Sequence, residues 1–158
     1  MPPPVDPTET PPSPEGFIPL PFGPHGTFLA INGPLSGKRE GNRLVLGFRV
    51  ERRHVNPIGI CHGGMLMTFA DMVLAIGSIF ETKLGRFLPT VNLTGDFLAP
   101  APFGSWVEGR TQVLRTTRNL IFAQALVEAD GVPVLRTSGI LKIGPEMKDR
   151  LDLHALLP

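Results

Sequence analysis

One carboxylate stands alone in a long apolar stretch. Between His54 and Glu81 the only charged side chain is Asp71. An ionised carboxylate inside an apolar helix is costly unless it is paired or faces a polar cavity. Burial raises the pKa of such a group and makes it a candidate general base or nucleophile. The competing role is structural: a carboxylate bonded to a neighbouring backbone group or to a subunit partner. The residues by themselves leave both open.

Upstream lie Asn56, His62, Gly63 and Gly64. A Gly-Gly pair at a helix start presents free backbone N–H groups at the positive end of the helix dipole, which can hold an oxyanion. Glycine also lets a substrate approach the backbone closely, or simply lets the helix start pack tightly. His62 is either a general base or the residue that caps and orients this loop. Asn56, before Pro57, is either a turn former or an amide that holds a water or carbonyl. His54 and Cys61 have no evident partner. No His/Cys/Asp cluster has metal-ligand spacing, so neither metal nor cofactor is expected. Gly-x-Ser-x-Gly and P-loop patterns are absent.

The elements that must position these groups follow from periodicity. His62 to about Glu81 predicts a helix that is apolar almost all round and so buried on most sides. Phe28 to Asn32 predicts a short strand, and the alternation of Leu44, Leu46, Phe48 and Val50 a half-buried one. Four more strand-like runs follow the helix: 89–98, 104–115, 120–129 and 132–143. Asp130-Gly131 marks a tight hairpin, and residues 115–119 a second turn. An antiparallel sheet with one all-apolar helix must curl around it. The expected class is therefore α+β: a curled antiparallel sheet of about five to six strands around one long central helix, the hotdog architecture.

Composition bounds the rest. The chain has 158 residues, 42% hydrophobic and 18% charged, with a formal net charge of +1. That suits one domain and gives no broad basic surface for nucleic acid. The single Cys61 cannot form an internal disulfide. Ten of the 18 prolines fall in residues 1–24. We read these as a proline-rich extension, extended or disordered, whose end Phe17 to Phe22 is apolar enough to pack. The domain is expected over 25–146, with a tail over 147–158 that is a short helix or a fray. No Lys or Arg precedes Lys38, which argues against a secretory signal. The stretch from Ile58 to Phe80 is long enough to raise a membrane question, but His62, Asp71 and its glycines favour a buried soluble helix. No membrane association is expected, and a cytoplasmic location is the default.

The run Asn56-Pro57-Ile58-Gly59-Ile60-Cys61-His62-Gly63-Gly64, with Asp71 downstream, resembles the signature of the phenylacetyl-CoA thioesterase-like (PaaI-type) hotdog family. Pro89-Thr90-Val91-Asn92-Leu93 and Asp96 to Ala101 resemble that family's strand after the helix, and the likeness runs from about Gly26 to Gly144. It implies hydrolysis of an acyl-CoA thioester, with Asp71 as base or nucleophile. The N–H of Gly63, with Gly64, would polarise the carbonyl, Asn56 and Thr90 would place water or carbonyl, and His62 would orient the loop. Where the family commonly has a glycine before Leu120, this chain has Thr117. Coenzyme A phosphates favour arginine at a channel mouth, which makes Arg115 and Arg118 candidates against the plainer role of solvated turn residues. The resemblance also implies homodimers with shared active sites, or dimers of dimers. Two alternatives stand beside hydrolysis. A hydratase or dehydratase would use His62 as base, but would need a second acid nearby. A non-catalytic acyl-CoA-binding module would give no reason to bury Asp71.

Overall fold

The computed structural model describes residues 11–23, 25–149 and 151–158. Its centre is a 20-residue helix, here called α2, over Gly63–Thr82. His62 caps it from an extended conformation, with its side chain accepting the Gly64 N–H. The helix stops at Lys83, which turns left-handed (φ 56°) and returns its N–H to the Ile79 carbonyl at 3.0 Å. Phe69, Ala70, Val73, Leu74 and Phe80 are almost completely buried and form its sheet-facing side.

Around α2 curls one antiparallel sheet of seven strands. They are β1 (Ile18–Pro19), β2 (Ser36–Glu40), β3 (Arg43–Arg49), β4 (Thr90–Phe97), β5 (Trp106–Thr116), β6 (Leu120–Ala129) and β7 (Val132–Lys142). Their order is β1-β2-β3-β5-β6-β7-β4, so β4, which follows the helix in sequence, crosses to the far edge. Inward residues alternate along β6: Ile121, Ala123, Ala125, Val127 and Ala129 are buried. Such alternation is the mark of a sheet with one covered face. Asp130 and Gly131 both take positive φ (47° and 80°), the backbone that a two-residue hairpin requires.

The expected helix, the four strands after it and both turns are present within a residue or two of their expected ends. Thr117 stands in for glycine without a left-handed backbone, since its φ is not positive. Instead its hydroxyl closes the turn, accepting the N–H groups of Asn119 and Leu120. Three expectations need correction. Phe28–Asn32 is not a strand but a short helix, α1, closed by the Gly33 N–H on the Leu29 carbonyl. The sheet has seven strands, not five or six, because β1 and β2 add to its edge. And Asp71, expected to be buried, lies on the side of α2 that is left open. The sheet leaves open a stripe of half-buried residues: Met67, Thr68, Asp71, Met72, Ala75 and Ile79.

The ends of the chain cover part of that stripe. Phe17 packs edge-on against Trp106 at 4.9 Å, Ile18 and Pro19 pair with Gly37 and Ser36, and Leu20 is buried. The apolar end of the proline-rich segment thus packs on the sheet. Residues 1–10 lie outside the described part. At the other end, α3 (Leu153–Leu156) buries Leu153, followed by Leu157. His154 stacks on Phe80 at 3.8 Å and donates Nε2–H to the Phe80 carbonyl at 2.9 Å.

Helix and sheet approach most closely at Gly77. A Cβ there would fall inside the contact radius of Thr111 Oγ1, and that hydroxyl donates to the Val73 carbonyl at 2.5 Å in a fully buried site. Gly77→Ala must therefore displace the helix or break this bond. We expect a loss of roughly 1–3 kcal/mol, read as a lower urea midpoint with an unchanged slope.

Candidate active site

Asp71 lies midway along the open stripe of α2. Its Oδ1 accepts the Thr90 hydroxyl at 2.5 Å. Thr90 is the first residue of β4, and a register shift between Thr90 and Asn92 interrupts the pairing of β4 with β7. Bulges of this kind re-aim side chains at sheet edges. Here Thr90 meets the helix. Asp71 is half-buried rather than buried, and Thr90 is exposed. The carboxylate is therefore satisfied by one hydroxyl and keeps its other oxygen open. It sits at one end of an apolar groove of about 640 Å³, also lined by Met72, Ala75, Ile79, Leu88 and Leu151.

The second group of expected residues gathers at the start of α2. His62 Nδ1 accepts the Gly64 N–H at 2.9 Å, so the proton of a neutral ring is on Nε2. This commits Gly64. No acceptor takes the Gly63 N–H among the described residues, and Gly63 is the donor left for a ligand. The face beside it is tight, since a Cβ on Gly63 would stand 3.3 Å from Phe97 Cζ. Asn56 Oδ1 accepts the N–H groups of Ile58 and Ile60, at 3.1 and 3.3 Å. It therefore forms the turn that leads to the helix, and its Nδ2 makes no protein hydrogen bond among the described residues.

This loop depends on a residue to which the sequence assigned no role. His54 is only 2% exposed. Its Nδ1 accepts the Glu51 N–H at 3.0 Å, its Nε2 meets the Asn32 carbonyl at 2.8 Å, and its own carbonyl receives the His62 N–H at 2.7 Å. His54 thus ties α1 to the residue that caps α2. Its closest partners are backbone groups, which leave no signal in side-chain spacing; the side chains beside it are Arg53, with Nε 3.3 Å from Nε2, and Phe48, edge-on at 5.3 Å. Cys61, also buried, has its thiol pushed up to about 12 by desolvation and is no nucleophile. Among the described residues no group of His, Cys, Asp and Glu could hold a metal.

Within one chain these two groups stay apart. Eight residues separate Gly63 from Asp71, which is ~12 Å along the axis at ~1.5 Å per residue. Arg115, near the end of β5, and Arg118, on the β5–β6 turn, are exposed and line neither the groove nor the helix start. No salt bridge joins His62 to a carboxylate among the described residues.

Known proteins match this arrangement. The thioesterase superfamily profile matches residues 58–135. A Pseudomonas aeruginosa protein named as an esterase is 33% identical over 131 residues, which span 82% of this chain and 96% of that protein. Mouse acyl-coenzyme A thioesterase 13 is 26% identical over 81 residues, 51% of this chain and 57% of that protein. The Escherichia coli PaaI protein from the phenylacetic acid degradation operon superposes with a TM-score of 0.64 at 19% identity, over 72% of this chain and 81% of that one. The chain belongs to the thioesterase superfamily, with the hotdog fold of its PaaI-type members, and is a thioester hydrolase.

The His54 contacts carry a pH consequence. Burial lowers its pKa below the usual value, outweighing the Asn32 hydrogen bond. The folded state therefore resists protonation that the unfolded chain accepts below ~6.5. Stability should hold above that pH and fall as pH drops from there through the lower folded value. Urea unfolding at pH 7.5 and 5.0 should show this fall, and His54→Gln should flatten it while lowering stability at pH 7.5.

Proposed function

We propose that the protein hydrolyses an acyl-CoA thioester to the free acid and coenzyme A, with Asp71 as base or nucleophile. The observation that carries this is the Asp71–Thr90 pair at the end of an apolar groove. An acyl group fits beside the carboxylate while water reaches it. The similarity to an acyl-coenzyme A thioesterase supports the choice of thioester. As base, Asp71 takes a proton from water as the water oxygen bonds to the carbonyl carbon. As nucleophile, its carboxylate forms an anhydride with the acyl group, which water then opens. As base, Asp71 returns that proton to the thiolate as the C–S bond breaks; as nucleophile, it displaces the thiolate when the anhydride forms, and the thiolate takes its proton from the water that opens the anhydride.

The carbonyl oxygen needs a donor within ~3 Å, and the Gly63 N–H of the same chain is ~12 Å away along the helix. We assign that donor to Gly63 of a second chain, with two α2 helices antiparallel about a two-fold axis. Each dimer then has two shared sites. Asn56 and Thr90 position water and carbonyl, and His62 holds the loop. Gly64 supports the site through its cap, and Arg115 and Arg118 are left as candidates for the coenzyme A phosphates at the channel mouth. We propose a cytoplasmic location, in keeping with the single cysteine, Cys61.

Thiol release from a panel of acyl-CoAs should show activity that Asp71→Asn lowers by ~10²-fold or more in kcat, with ligand binding little changed. Thr90→Ala and Asn56→Ala should each cost less. A fully active Asp71→Asn enzyme would end the assignment, and Asn56→Ala as the most severe variant would reverse the roles.

Mixing Asp71→Asn with Gly63→Val should restore activity, since each heterodimer carries one intact site. If native mass spectrometry confirms exchange and no activity returns, the shared site is wrong.

A further inference from the structure

The groove beside Asp71 has walls of unusual origin. Its floor is the open stripe of α2, running from Asp71 through Met72, Ala75 and Ile76 to Ile79. One side is the connection from α2 to β4, at Phe87, Leu88 and Pro89. The other walls come from segments near the two ends of the chain: Phe22 and Leu29 between β1 and β2, and Met147, Leu151 and Leu153 after β7. All five lie outside the stretch 58–135 matched by the superfamily profile. The matched core supplies the carboxylate, the floor and one side, while the ends of the chain close the space.

We propose that this groove is the acyl pocket and that the terminal segments, rather than the sheet, set the length of the acyl group it takes, selecting a medium-length straight aliphatic chain. The inference rests on the thioesterase function proposed above.

Length, lining and position support it. From Asp71 to Ile79 is eight residues, or ~12 Å at ~1.5 Å rise. An extended alkyl chain advances ~1.25 Å per C–C bond, so ~12 Å holds about eight to ten carbons. Apart from Asp71 and Thr90 at the carbonyl end, and Asp149, every lining side chain is apolar. Asp149 is the one further polar side chain of the lining, and a polar group laid against the rest of the wall would be desolvated without a partner. At about 640 Å³ the space falls in the range of pockets that enclose small ligands. The shallow point of the floor is Ala75, whose small side chain leaves the passage from Asp71 to Ile79 open. A second copy of this chain is a poorer occupant, because the chain's own ends already wall the groove.

The test uses the full chain and thiol release from straight acyl-CoAs of two to sixteen carbons, with phenylacetyl-CoA alongside. Wild type should have its highest kcat/KM at eight to ten carbons. Ala75→Phe fills the floor and should lower the decanoyl-to-butyryl ratio of kcat/KM tenfold or more, within the range that pocket methylenes supply. Leu151→Ala opens the distal wall from a partly exposed position and should move the optimum to longer chains. Both ratios within twofold of wild type would overturn the inference, as would a change of subunit mass in Ala75→Phe by native mass spectrometry, which would mark the groove as a subunit contact. If wild type hydrolyses none of these thioesters, the thioesterase assignment fails separately. Calorimetry with decanoyl-CoA then decides the groove: binding that Ala75→Phe weakens tenfold supports it, and equal binding or none overturns it.

Discussion

Everything in this molecule follows from the need to cover one apolar helix. Twenty residues with one carboxylate, Asp71, before Glu81 in their last turn cannot stand in water, and the sheet bends to receive them. Burial of apolar area at about 25 cal/mol per Å² supplies the driving force, and small residues set how close the two layers come. Gly77 on the helix, and Gly109 and Gly139 on the strands, each face a neighbour that leaves no room for a methyl group to enter freely. The contact is close enough for Thr111 to bond a helix carbonyl, so the position of α2 is fixed by a hydrogen bond as well as by packing.

That covering is incomplete on one stripe, and the chemistry is there. A carboxylate on the sheet-facing side would lie among Phe48, Leu46 and their neighbours, where the Thr111 hydroxyl is already committed to the Val73 carbonyl. On the open stripe it meets a threonine hydroxyl and retains access to water. The bulge at the start of β4 supplies that hydroxyl, and the groove between the chain's ends supplies an apolar surface beside it. Stability and function therefore divide the same helix by face. The division is enforced by which residues the sheet reaches.

Much of this was legible in the sequence because the signals were of long range or high contrast. The apolar run after His62, the alternation in the later strands and the Asp130-Gly131 turn each outweigh local ambiguity. Asp71 was found by its isolation, and Thr90 by resemblance alone. The parts that were not legible are short or depend on backbone. Five residues, Phe28 to Asn32, are too few to separate a helix from a strand by period. Ser36 to Glu40 is polar and lacks alternation, and it becomes a strand only because β3 offers it an edge. His54 works through main-chain groups. Asp71 was expected to be buried, and the difference arises because sequence shows the composition of a helix but not which stripe its sheet will leave uncovered.

The two borders of the sheet are unlike. At one, β1 is two residues long and ends in Pro19, which has no N–H to offer. At the other, β4 runs eight residues with Val91 and Phe97 exposed and no further strand beside it among the described residues. A strand can add readily at the second border and hardly at all at the first. Edge pairing is therefore favoured at the β4 border and restricted at the other, where Pro19 blunts β1 and only the charged residues Lys38 to Glu40 of β2 extend past it.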